Sequence, residues 1–287
     1  MGTELKMRGV EVPSHVESIW SALALTENTS VIKEIHLDYI NAGAEFIIAN
    51  NYAVTQPILK RANLLDQLEE LTLKSIQIAK EAIQESGKDI LLAASLPPLE
   101  TSYRSDLILE TASMDKMYQE LASILENNVD IIICETMSHS REARSALASI
   151  QKSKSQKWIG WTLYGNQNTL PSGETITEAF NFISDLKCDA YLINCGGANL
   201  ITEGIKELKS LTNERIGGYG NSEKIEISHE DRSDRPEEDH WASATPINEK
   251  EYAKEAQIWV EEGASIVAGC CRTRPSHIAE IVKTFSV

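Results

Sequence analysis

An apolar run near the C-terminus ends in two adjacent cysteines: Gly263-Ala264-Ser265-Ile266-Val267-Ala268-Gly269-Cys270-Cys271-Arg272-Thr273. The run predicts a buried strand, and Pro275 opens a predicted helix directly after it. The thiols are therefore expected at the C-terminal end of a strand. Neighbouring side chains of a regular strand point to opposite faces, so these two thiols can share a partner only where the strand breaks, which Gly269 permits.

A third cysteine, Cys195, ends a similar apolar run, Ala190-Tyr191-Leu192-Ile193-Asn194-Cys195-Gly196-Gly197. Three thiols at strand ends predict one shared metal. Three thiolates around zinc leave one tetrahedral position open, which is typical of a catalytic site, and a substrate thiol bound there is deprotonated. The cysteine positions alone leave a second interpretation open, in which each thiol is a small core residue.

Apolar strands alternate with amphipathic helices along the chain and predict a parallel sheet buried on both faces. The predicted strands are 45–50, 90–95, 130–134, 158–163, 191–194, 215–219 and 265–268. Polar or reactive residues follow several of these strands, which is where (β/α)8 barrels build their sites. We therefore predict an α/β fold of the (β/α)8 TIM barrel type, with a doubly wound sheet as the alternative. A barrel has eight strands, so the first strand is expected to be missing from the N-terminus.

The composition, with 42% hydrophobic and 24% charged residues, fits one large globular domain or two small ones. We predict a single barrel domain over residues 1–287. A net charge of -16 argues against a nucleic-acid partner. The sequence has no apolar run of about 18 residues and no secretory signal, so we expect no membrane span and a cytoplasmic location. The five cysteines then suggest metal binding, catalysis or burial rather than disulfides. The oligomeric state is not predicted.

Several motifs resemble the homocysteine S-methyltransferase family, the zinc-dependent barrels that methylate homocysteine to methionine. The resemblance covers nearly the whole chain and rests on Met1-Gly2-Thr3-Glu4-Leu5, Arg8-Gly9, Trp20-Ser21-Ala22, His36-Leu37-Asp38-Tyr39-Ile40-Asn41-Ala42-Gly43-Ala44, Cys134-Glu135-Thr136, Asn194-Cys195, and Gly269-Cys270-Cys271-Arg272-Thr273 with Pro275 and His277-Ile278.

The resemblance implies a zinc cofactor held by Cys195, Cys270 and Cys271. It also implies that Glu135 holds the amino group of homocysteine and that Asn221 lies near the substrate. The expected reaction moves a methyl group from a small sulfonium donor, S-methylmethionine first and S-adenosylmethionine second, to homocysteine. A betaine-type donor and a non-catalytic, truncated zinc-binding member stay open as alternatives. A metal hydrolase, which would need a general base beside the metal, is disfavoured by the three sulfur ligands.

One departure from the family concerns the N-terminus. Family members usually begin with an apolar strand ending in Asp-Gly-Gly, and that acidic residue contacts homocysteine, whereas this sequence starts at Met1. We expect either an internal methionine of a longer protein, which is the favoured explanation, or a truncated member. Either case predicts a gap between the strands at Phe46 and Ile266.

The remaining candidates are weaker. Trp241 is the large aromatic residue of a polar segment, 223–242, that predicts an extended loop over the site, and it could contact a cationic donor. Structural roles are expected for three residues: Cys134 and Cys188 in the core, and His36 as a packing or capping residue. Glu4 is expected on the solvated surface, and Ser102-Tyr103-Arg104 at the substrate entrance.

Overall fold

The computed structural model describes residues 1–13, 19–163, 168–225 and 244–286. The strands in these ranges are β1 (Phe46–Ile48), β2 (Leu91–Leu96), β3 (Ile131–Met137), β4 (Gln156–Trp161), β5 (Ala190–Gly197), β6 (Arg215–Asn221), β7 (Glu223–Ile225), β8 (Ala244–Pro246) and β9 (Ile266–Gly269). The α-helices are α1 (Gly2–Met7), α2 (Ala24–Glu27), α3 (Thr29–Asn41), α4 (Gln56–Arg61), α5 (Leu68–Ser86), α6 (Thr111–Leu125), α7 (Ser140–Ser149), α8 (Ile176–Phe182), α9 (Ala198–Leu211), α10 (Glu249–Glu261) and α11 (Pro275–Phe285).

Seven strands form one parallel sheet in the order β1-β2-β3-β4-β5-β6-β9. A doubly wound sheet reverses its strand order at a switch point, and this sheet has no reversal. The barrel prediction is therefore confirmed, and all seven predicted strands are present within a few residues of their predicted bounds. No helix among the described residues is both long and apolar enough to cross a bilayer.

Two apolar cores flank the sheet. The larger one fills the layer between the strands and the helices, because the strands carry apolar side chains on both faces. The smaller one is the barrel interior, where side chains from successive strands meet. Its buried members are Ala93, Ile131, Ile133, Trp158, Ala190, Leu192, Tyr219 and Ile266.

The two edge strands of the sheet are β1 and β9, and the described residues show no pairing between them. Both strands nevertheless line the same cavity, so the sheet curves until only a slot separates its edges. The predicted gap between the strands at Phe46 and Ile266 is thus confirmed. Backbone groups that face such an open edge lack the partners that a closed barrel would give them.

Amide exchange should reveal this open edge in solution. The Glu45 carbonyl and the Ala49 amide bond to β2, so by strand alternation the Phe46 and Ile48 amides face the slot and the Ile47 amide faces β2. We expect the Phe46 and Ile48 amides to exchange at least about 100-fold faster than the Ile47 amide. Native-state hydrogen exchange followed by NMR measures this, and equal protection at all three positions would contradict an open edge.

The polar segment predicted as one long loop is framed by an antiparallel hairpin. Strand β7 pairs with β8, with Glu223 opposite Pro246 and Ile225 opposite Ala244. These two strands have no recognisable pattern in the sequence, because each has only three residues. Residues 226–243, including Trp241, lie outside the described residues, so the predicted contact of Trp241 with a donor stays a prediction.

Candidate metal and substrate site

Three cysteine sulfurs meet at the C-terminal edge of the sheet. The Sγ atoms of Cys195, Cys270 and Cys271 all lie within 4.8 Å of one another. In the structure Cys195 and Cys270 are joined as a disulfide, so the prediction against disulfides is wrong for this pair, because the fold brings the two thiols together at the sheet edge. Cys271 lies beside them and is not part of the disulfide. The fold thus brings the three predicted ligands together, although they come from strands far apart in sequence.

Cys195 owes its position to an irregularity in β5. Between Asn194 and Gly197 the pairing register with β6 shifts, and Cys195 adopts a left-handed backbone with φ of 58°. An extra residue in a strand re-aims the side chains next to it, and left-handed conformations of non-glycine residues concentrate at functional sites. The shift therefore takes Cys195 out of the regular alternation of side chains between the two faces of the sheet and places it at the cavity.

Cys270 and Cys271 lie in the turn that follows β9. The Cys270 amide donates to the Gly220 carbonyl (2.9 Å), and the Thr273 hydroxyl donates back to the Cys270 carbonyl (2.7 Å). A Cβ atom on Gly269 would overlap the Thr273 side chain, so this close turn requires glycine. The strand ends where the sequence predicted, and both thiols reach the same side.

Asn221, at the end of β6, connects the two cysteine segments. Its Nδ2 donates to the Cys195 carbonyl (3.2 Å), and its Oδ1 accepts from the Cys271 amide (3.1 Å). The same Nδ2 also donates to Glu223 (3.0 Å). Asn221 is buried and is not among the described residues that line the cavity. Its predicted contact with substrate stays a prediction, and its observed contacts hold the cysteine backbones.

Glu135 is a buried carboxylate on the cavity wall. The β3–β4 register shifts between Cys134 and Met137, and this irregularity contains Glu135. The Ser95 hydroxyl donates to Glu135 Oε1, and the Tyr219 hydroxyl donates to Oε2 (3.0 Å). Burial raises the pKa of Glu135, and these two hydroxyls partly offset that effect. The carboxylate is thus oriented by two donors at the wall of the cavity, where it is 5% exposed.

A cavity of about 700 Å³ connects these groups and continues into the slot between β1 and β9. Its upper wall carries aromatic side chains: the rings of Trp20 and Tyr52 meet edge to face at 6.0 Å, and the Tyr103 hydroxyl donates to the Cys195 carbonyl (2.8 Å). Ser102 and Tyr103 both line the cavity, whereas Arg104 is not among its described lining residues; the substrate entrance at these three residues stays a prediction. The part of the cavity that is lined by Val260, Val267, Ile278, Val282 and Phe285 is apolar.

Sequence reasoning missed the buried groups that contact the segment directly after the cysteine turn. Glu4 was expected on the surface, but it is 1% exposed and pairs with Arg274 (2.6 Å) and Arg8 (3.3 Å). That prediction was wrong because the pairing joins residues 270 positions apart. Tyr39 likewise donates to the Thr273 carbonyl (2.8 Å). Neither the Glu4–Arg274 pair nor the Tyr39–Thr273 hydrogen bond has a local sequence signal.

The other predicted structural residues lie in the interior. Cys134 and Cys188 are buried, and burial raises the pKa of Cys188 to about 12; both belong to the core, as predicted. His36 is buried in α3 and borders the cavity. Burial lowers the pKa of His36 to about 3, so its imidazole is neutral.

Comparisons with known proteins agree with this arrangement. The family model described as Homocysteine S-methyltransferase matches residues 1–285. Homocysteine S-methyltransferase 1 of Arabidopsis thaliana is 27% identical, over 97% of this chain and 89% of its own length. The homocysteine methyltransferase MmuM of Escherichia coli matches in its metallated form with a TM-score of 0.81 and 24% identity, over 98% of this chain and 92% of that chain. Its oxidized form matches with a TM-score of 0.82 and 25% identity, over 99% and 93%.

Proposed function

Because the chain belongs to the homocysteine S-methyltransferase family, we propose that it is a zinc-dependent enzyme that methylates the thiol of homocysteine from a small sulfonium donor, giving methionine. The observation that carries the proposal is the convergence of three thiols on the cavity that also contains the Glu135 carboxylate. A metal bound by three sulfurs could bind the thiol of an amino acid such as homocysteine, and the buried acid could bind its ammonium group.

The three cysteines fit zinc by their chemistry. Thiolates favour zinc and other soft metals over magnesium or calcium. Among the described residues no histidine or carboxylate joins the cluster as a fourth ligand, as expected for a site that keeps a position for substrate. A zinc ion held by Cys195, Cys270 and Cys271 would lower the pKa of the homocysteine thiol, so that the thiol reacts as a thiolate.

The thiols must be reduced for this role, because a cysteine binds metal as a thiolate. The disulfide between Cys195 and Cys270 uses two of the three ligands. The Escherichia coli relative has been solved in both a metallated and an oxidized form, which supports two states for such a site. Metal loading of this chain therefore requires a reductant.

Glu135 would bind the ammonium group of homocysteine. Its carboxylate is fixed by Ser95 and Tyr219 and faces the same cavity as the cysteines. A charge-assisted hydrogen bond in a buried site is stronger than a neutral one. This anchor holds the amino acid while its thiol reaches the cysteine cluster.

The aromatic wall would receive the methyl donor. Trp20 and Tyr52, which form this aromatic wall, line the same cavity as the three cysteines. Aromatic faces attract cations that have little hydration. In the reaction, the homocysteine sulfur attacks the methyl carbon, the bond from that carbon to the sulfonium sulfur breaks, and its electron pair stays on the donor. The thiol proton goes to solvent. The wall and the anchor contribute by aligning the two substrates.

The proposal is tested by methionine formation from homocysteine with S-methylmethionine, S-adenosylmethionine or betaine as the donor, using reduced, zinc-loaded protein. We expect turnover with S-methylmethionine and less with S-adenosylmethionine. Turnover only with betaine would reject the sulfonium donor. Zinc binding without any turnover would favour the alternative of a non-catalytic member.

Removing the Trp20 ring from the aromatic wall should weaken binding of the methyl donor and not binding of homocysteine. For Trp20→Ala we expect the KM of the donor to rise about tenfold, since a cation–π contact contributes roughly 0.5–2 kcal/mol, while the KM of homocysteine changes little. Trp20→Phe keeps a ring and should restore most of the affinity. Steady-state kinetics with each substrate varied in turn measures this; a donor KM unchanged in Trp20→Ala would remove Trp20 from the donor site.

A further inference from the structure

We propose that His277, in the first turn of α11, is a positioning residue for the metal centre, acting through Ser222 on the peptide that carries Cys271. The proposal rests on the proposed function, because it takes the three cysteines as metal ligands. His277 does not line the cavity in the described part of the chain, so its role is not to contact substrate.

The connection runs through Ser222, which directly follows β6. The Ser222 amide donates to the Cys271 carbonyl (3.0 Å). Its hydroxyl donates to the Ile247 carbonyl (2.7 Å) and lies 2.8 Å from His277 Nε2. A hydroxyl has only one hydrogen, so toward the imidazole Ser222 must accept. His277 therefore carries its proton on Nε2.

The other ring nitrogen agrees with this tautomer. Nδ1 of His277 accepts from the Arg274 amide (3.2 Å) at the start of α11, and this requires a nitrogen without hydrogen. Burial lowers the pKa of His277, which favours the neutral ring. A single tautomer thus makes both hydrogen bonds: Nδ1 accepts from the Arg274 amide, and Nε2–H donates to the Ser222 hydroxyl.

The ring is also held sterically. Tyr252 packs edge to face against His277 with 5.7 Å between ring centres. The Tyr252 hydroxyl lies 2.8 Å from the Gly220 carbonyl and 2.9 Å from the Ala268 carbonyl, which belong to the two strands that precede the site. The imidazole therefore sits on a fixed surface, where it contacts the Ser222 hydroxyl and also hydrogen-bonds the Ile247 backbone.

These contacts fix the Cys271 peptide from both sides. Its amide is held by Asn221 (3.1 Å) and its carbonyl by the Ser222 amide (3.0 Å). Loss of the imidazole would leave the buried Ser222 hydroxyl without its donor, so that only the Ile247 carbonyl would still orient this side chain beside the Cys271 carbonyl. Groups that orient metal ligands typically change metal affinity by about 10–100-fold when they are removed.

The test is zinc affinity of the reduced full chain, measured by competition with a chromogenic chelator. For His277→Phe, which keeps a ring against Tyr252 but has no nitrogen, we expect binding about 10–100-fold weaker. His277→Gln can still donate an N–H toward Ser222 and should stay within about threefold of the native chain. The double variant with Ser222→Ala should bind zinc no more weakly than His277→Phe alone, since both changes break one connection.

A matched control separates positioning from general destabilisation. Tyr118→Phe removes a buried hydroxyl that donates to the Pro97 carbonyl (2.8 Å) and should lower the Tm of the metal-free protein without changing zinc affinity. Native zinc affinity in His277→Phe, or a matching loss in Tyr118→Phe, would overturn the proposal.

A second readout does not depend on zinc. In the reduced, metal-free chain, exchange of the Ser222 amide should be at least about tenfold faster in His277→Phe than in the native protein. If the native chain binds no zinc, the proposed function fails while this measurement still shows whether His277 holds the turn. An unchanged exchange rate would overturn the positioning role itself.

Discussion

Replacing one of the three proposed zinc ligands, Cys270→Ala, is expected to reduce bound zinc from about one ion per chain to less than about a tenth, and methionine formation by at least about 1,000-fold. The three sulfurs lie within 4.8 Å of one another, and the described residues offer no fourth ligand that could replace one of them. With two thiols left, the site loses both its affinity and the means of activating the substrate thiol. Metal analysis and a methionine assay on reduced protein measure the two effects.

Cys188→Ala is the matched control, because Cys188 is a buried thiol in the core and not part of the cluster. It should keep its zinc and its activity. If Cys270→Ala bound zinc as the native chain does, the cluster would not be the metal site. If both variants lost zinc equally, the effect would come from damage to the fold.

Neutralising the buried acid, Glu135→Gln, is expected to lower kcat/KM for homocysteine by about 100-fold or more with zinc content unchanged. The loss follows from the ammonium group of the substrate, which would enter a buried site without its counter-charge; unpaired buried charges typically cost about 2–5 kcal/mol. The donor KM should change far less. Steady-state kinetics on zinc-loaded protein, with homocysteine varied, measures the effect.

Glu142→Gln provides the comparison for this prediction. Glu142 is also a buried carboxylate, accepting from the Leu99 amide (3.0 Å) with the Tyr118 hydroxyl 3.2 Å away, but it does not line the cavity in the described structure. The Glu142→Gln substitution should lower the stability of the fold and leave the KM of homocysteine close to its native value. An equal loss of kcat/KM in both variants would show that Glu135 acts on the fold rather than on the substrate.

The sequence predicted the parts of this site that have local signals. Strand 265–268 and the cysteines after it combine an apolar run, a glycine and a following proline, so both the strand end and the turn were predictable. Because parallel strands end at one edge of a barrel, Cys195 could also be placed near Cys270. The open slot between β1 and β9 followed from counting strands.

The remaining features depend on contacts that no local pattern encodes. The register shifts that contain Glu135 and Cys195 arise from pairing between strands, and the strand pattern alone does not reveal them. Glu4 reaches Arg274 only because α1 packs beside the cysteine turn. The roles of Asn221 and His277 depend on hydrogen bonds across three separate segments. Sequence therefore predicted which three cysteines come together, and the structure was needed to find the groups that hold them.

The most direct test of the account is X-ray absorption at the zinc edge of the reduced, zinc-loaded chain, with and without homocysteine. Three zinc–sulfur contacts near about 2.3 Å are expected in the free enzyme, rising to four when homocysteine binds. A sulfur count that does not change with homocysteine, or a zinc ion bound mainly by nitrogen and oxygen, would contradict a three-cysteine site that activates the substrate thiol.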